Sequence, residues 1–74
     1  MRERLKAFQE EIAELAREAS RAVREGRAGD AAVHDAKRKS KELEMHGFVL
    51  DNEASGVFTD RELDQAREAL GRQT

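Results

Sequence analysis

The chain has 74 residues, no cysteine, and 14 basic against 16 acidic side chains. That leaves room for one domain, and it excludes disulfides, thiol catalysis and the common cysteine-built zinc sites. The near-balance of charge excludes a bulk field that would draw in nucleic acid or membrane, and no apolar run reaches membrane-spanning length, so a soluble, cytoplasmic protein is the expectation.

A chain this short buries only about 60–65% of the surface its unfolded form exposes. Sixteen large apolar residues and twelve alanines supply the core, so regular helix packing, a bound ion or a second subunit must carry more of the stability than usual. The spare acidity is local: residues 47–74 hold three basic and six acidic side chains.

The first segment reads as a helix over about 2–25. Leu5, Phe8, Ile12, Leu15, Ala19 and Ala22 recur at spacings of three and four, an apolar seam sustained for nearly three heptads and widened by Val23. Gly26 and Gly29 flank Arg27 and Ala28 and mark a helix cap and a tight turn. Asp30 is then placed to cap a second helix over about 30–46. So short a turn folds the second helix back along the first as an antiparallel hairpin. The candidate inner positions of the second helix are Ala32 or Val33, Ala36, Ser40 and Leu43, and Gly47 is its expected end. Residues 48–59 form a connector. Thr59 with Glu62 matches a capping box, opening a third helix over about 60–70 with Leu63, Ala66 and Leu70 on one face. Gly71 caps it, and Arg72–Thr74 are expected to fray. The expectation is an all-α single domain, 1–74.

The connector admits two readings. Asn52, Ser55 and Gly56 are turn formers, and Phe48-Val49-Leu50 with Val57-Phe58 have the composition of a short β-hairpin. The same stretch, Asp51-Asn-Glu-Ala-Ser-Gly-Val-Phe-Thr-Asp-Arg-Glu62, also resembles the twelve-residue calcium loop of the EF-hand family. The resemblance covers residues 51–71 and includes the glycine at the sixth position and an apolar residue, Phe58, at the eighth. It implies calcium as a ligand, held by Asp51, Glu53, Ser55, the Val57 carbonyl, Thr59 and Glu62.

Other constellations are sparser. Arg17, Arg21 and Arg24 on the first helix and Lys37, Arg38 and Lys41 on the second fall on neighbouring stretches of a hairpin, a basic face suited to phosphates, although no aromatic side chains accompany it for base stacking. His34 and His46 are twelve apart, outside helical metal-ligand spacing; His46, beside Gly47, is expected at a helix C-terminus, and His34 beside Asp35 or Arg38. No serine carries a histidine–acid pattern or a glycine elbow, so catalysis is not expected. The apolar seam of the first helix is answered on the second mainly by alanine and serine. That mismatch makes Leu5, Phe8, Ile12 and Leu15 the candidate partner-binding residues of a non-enzymatic interaction module, with a protein partner or a second copy as a homodimer. A calcium-binding protein and a nucleic-acid binder are the alternatives.

Overall fold

The computed structural model describes residues 1–71 as three helices, α1 (Arg2–Arg24), α2 (Ala28–Asp51) and α3 (Asp60–Gly71), with a single 3-10 turn at Glu53–Ser55. The tail expected to fray, Arg72–Thr74, lies outside the described residues. Among the described residues there is no strand, so the segments 48–50 and 57–58 do not pair as a β-hairpin.

The α1–α2 turn forms where the glycines predict it, with a change of detail. Gly26 takes the left-handed conformation at φ +71°, its amide donates to the Val23 carbonyl, and the Arg27 amide donates to the Ala22 carbonyl at 2.8 Å. This is the two-bond helix stop that a glycine permits at no steric cost. Gly29 belongs to the first turn of α2 and Asp30 is not its cap: Arg27 holds that position, without a side-chain capping bond. The Asp30 carboxylate sits one turn in, paired with Arg27 at 2.7 Å and near the positive end of the helix dipole.

The larger departure is at Gly47, which does not end α2. A glycine inside a helix costs about 1 kcal/mol relative to alanine. Continuing the helix to Asp51 places the Phe48 ring between Phe8 and Phe58, with centroids 5.7 and 5.9 Å away, and buries Val49. Burying a phenylalanine or a valine contributes about 1.5–3 kcal/mol each, so the continuation wins.

That continuation also sets the phase of α2. With Met45, Phe48 and Val49 turned inward, the positions one and two heptads earlier that follow them are Ala31, His34, Arg38 and Lys41, all buried or half-buried. Ala32, Val33, Ala36 and Ser40 are therefore on the outside, Val33 at 52% exposure. Leu43 alone of the expected inner set is half-buried. On α1 the predicted seam faces inward as read, Leu5 and Ala22 buried and Phe8, Ile12, Leu15 and Ala19 half-buried, while Val23 is 66% exposed and does not widen it.

The core lies at one end of the hairpin. Leu5 from α1, Val49 from α2, Phe58 from the connector and Leu63 and Ala66 from α3 form it, with Met45, Phe48 and Leu50 packed around them. Thr59 and Glu62 make the predicted capping box: the Glu62 amide donates to Thr59 Oγ1 at 3.1 Å and the Thr59 amide to Glu62 Oε1 at 2.9 Å. At the far end the buried residues are two alanines, Ala22 and Ala31. The radius of gyration is 14.1 Å and the extents are 45 × 28 × 15 Å, against about 11 Å for a compact domain of this length.

Candidate functional site

The four apolar residues of the α1 seam do not share one fate. Leu5 is a core residue and is closed to partners. Phe8 and Leu15 open into two adjoining surface grooves on the α1–α2 face. One is lined by Arg4, Ala7, Phe8, Glu11 and Lys41, the other by Glu11, Leu15, Lys37, Ser40, Lys41 and Glu44. Glu11 and Lys41 are common to both. Ile12, half-buried, lines neither. Lys41 bridges the helices here: its ammonium lies 3.4 Å from Glu11 and 3.2 Å from Glu44 and 5.9 Å from the Phe8 ring centroid. Glu44 and then Glu11 hold the ammonium above its ordinary pKa. Arg4 stacks over Phe48 at 5.6 Å. The floor of this surface is thus apolar and its rim carries both signs of charge.

The six basic residues are divided between elements. Arg17, Arg21 and Arg24 line a groove on α1 with Ala16 and Ser20, and Arg17 pairs with Glu14 at 2.6 Å, which holds that carboxylate below the usual range. Lys37 and Lys41 belong to the other groove. Arg38 is tied within α2 to Asp35 and Glu42, at 2.6 and 2.7 Å. Carboxylates three or four residues away on the same helix hold Arg17, Arg38 and Lys41.

The 51–62 loop is ordered by contacts of its own. Asp51 is the last residue of α2. The Glu53 carboxylate pairs with Arg67, and Ser55 Oγ donates to the Asn52 carbonyl at 2.6 Å and accepts from the Val57 amide. Gly56 turns the chain at φ +72°. The Glu62 carboxylate, however, holds the guanidinium of Arg2. Arg2 Nη1 donates to Glu62 Oε1 at 3.0 Å and to the Val57 carbonyl at 3.2 Å, and Nη2 donates to Glu62 Oε2 at 2.9 Å. The guanidinium carbon also lies 5.8 Å from the Phe58 ring centroid. Arg2, followed by the Thr59 amide, lowers the Glu62 pKa to about 2. Of the six candidate calcium donors, the Val57 carbonyl and the Glu62 carboxylate are thus engaged by Arg2 and the Glu53 carboxylate by Arg67; among the described residues no group of three or more acidic or histidine side chains is gathered.

Sequence reasoning missed Arg2, which lies 60 residues from Glu62 and carries no local signal beyond the presence of a carboxylate in the capping box. It also placed the histidines differently. His34 reaches across the hairpin to Glu18 at 3.5 Å, an ion pair only when the ring is protonated, and its Nδ1 is buried without a hydrogen-bond partner. His46, one residue before the internal Gly47, lines a groove with Glu42, Gln65, Glu68 and Ala69. No helix among the described residues is long and apolar enough to cross a membrane. No family model, no curated protein and no solved structure matches the chain.

Proposed function

We propose that this chain is a small, non-enzymatic interaction module that binds protein through the α1–α2 face, with a second copy of itself as the first candidate partner. The observation that carries this reading is the incomplete cover of the α1 seam: Phe8 and Leu15 open into adjoining surface grooves where α2 supplies Lys37, Ser40, Lys41 and Glu44 in place of large apolar residues.

Sedimentation velocity across a concentration series tests the reading directly. The wild-type chain is expected to self-associate, and Leu15→Glu to be monomeric with unchanged helical circular dichroism. Leu5→Asp is not a usable probe, since Leu5 is in the core. A wild-type chain that remains monomeric into the millimolar range overturns the homodimer, and Leu15→Glu that associates as the wild type does removes this face.

A second reading draws on the α1 groove of Arg17, Ser20, Arg21 and Arg24, in which Arg21 and Arg24 have no ion pair among the described residues. It makes the groove a phosphate contact for nucleic acid. Mobility shift at low and moderate salt separates the two, because binding through three arginines weakens steeply as salt rises.

A further inference from the structure

We propose that the start of α3 is a receptor for an arginine side chain, occupied in cis by Arg2. Four groups converge on one guanidinium: both oxygens of Glu62, the Val57 carbonyl and the face of Phe58. Each answers a different property of that ion. Two parallel N–H donors match the two carboxylate oxygens, a further N–H meets the carbonyl, and the flat, weakly hydrated cation suits an aromatic face. An ammonium in the place of Nη1 can meet Glu62 Oε1 and the Val57 carbonyl, but it does not reproduce the parallel second bond that Nη2 makes to Glu62 Oε2.

The receptor is built independently of its occupant. The capping box with Thr59 fixes the Glu62 carboxylate, the left-handed turn at Gly56 presents the Val57 carbonyl, and Phe58 is anchored in the core. Arg2, by contrast, stands on the first residue of α1 and its side chain is 56% exposed, so it can be exchanged without dismantling the receptor. The site therefore accepts an arginine presented by another chain whenever Arg2 is withdrawn, and Arg2 acts as a competitor for that ligand. This inference rests on the loop geometry alone and does not depend on the interaction reading of the α1–α2 face.

Chemical rescue tests it on the full chain. In Arg2→Gln, the amide signals of Val57 and Glu62 and the ring signals of Phe58 are expected to move. Adding N-methylguanidinium should return them saturably toward their wild-type positions, with affinity at least about tenfold above that of methylammonium, reflecting the forked pairing. Arg2→Lys should resemble Arg2→Gln and not the wild type. Wild-type chain, whose site is filled, should respond about tenfold more weakly than the variant. Calcium is the remaining probe and should not substitute for the guanidinium. The proposal is overturned if Arg2→Lys reproduces the wild-type spectrum, if N-methylguanidinium shifts no signal saturably, or if calcium restores the signals equally well. Should Arg2→Gln lose its fold, the wild-type Arg2 side-chain signals decide: they should be dispersed and slowed in exchange, and should revert to those of a free arginine in Glu62→Gln, whose amide retains the cap.

Discussion

Glu62 serves three partners at once, accepting from Arg2 and the Thr59 amide while its own amide donates to the Thr59 hydroxyl. Its folded pKa of about 2 lies below the ordinary 4.5. The unfolded chain therefore takes up the proton first as pH falls, and the contribution of Glu62 to stability is full above about pH 4.5 and is lost progressively down to about pH 2. Acid titration of the melting temperature should show this fall, with a smaller fall in Glu62→Gln. Glu14 and Asp35, lowered by Arg17 and Arg38, act in the same direction. Gly56 offers a second residue-scale expectation. Its positive φ is forced by the turn, so Gly56→Ala should cost about 1–2 kcal/mol in denaturant unfolding even though nothing crowds an added methyl there.

At the scale of elements, Gly47 is informative in the opposite sense. It is helical, has no positive φ, and has open space around an added Cβ. Gly47→Ala should stabilise the chain by about 0.5–1 kcal/mol, read as a higher denaturant midpoint at an unchanged slope. The three helices, the hairpin turn and the capping box were legible because each rests on local chemistry: heptad spacing in 5–22, a glycine at 26, threonine and glutamate three apart. The phase of α2 was not. It is set by Phe48 and Val49 meeting Phe8, Phe58 and Leu63, contacts distant in sequence, and treating Gly47 as a terminator removed those residues from the helix whose rotation they decide. For the same reason the seam of α2 was assigned to Val33, Ala36 and Ser40 when it belongs to His34, Arg38 and Lys41. The Arg2 contact was illegible for a related cause, since nothing in residues 1–10 or 51–62 alone states that they meet.

For the whole molecule, stability is concentrated where the three helices meet. At 0.05–0.15 kcal/mol per residue a chain of this length has roughly 4–11 kcal/mol in all, and Leu63→Ala, leaving a cavity beside Leu5 and Phe58, should cost about 2–5 kcal/mol of it. The expected result is a lower melting temperature and a lower denaturant midpoint than the wild-type chain. The opposite end of the hairpin, closed by Ala22 and Ala31, holds little apolar area. Amide hydrogen exchange should therefore be graded, fastest around residues 20–32 and slowest around 45–50 and 63–66. Uniform protection along α1 would contradict that distribution.

The placement of Leu5 against Leu63 and Ala66 has a further bearing, on how the chain is made. A nascent chain emerges from the ribosome with α1 and α2 before α3, and the hairpin available at that moment can set Phe48 against Phe8 but lacks Phe58, Leu63 and Ala66 to close the core around Leu5. The core thus joins a side chain of α1 to side chains of α3, a contact distant in sequence that forms only once α3 is made. Leu5 must then wait, incompletely covered, until α3 is made, which is the interval in which a holding chaperone or a second nascent copy has access to it.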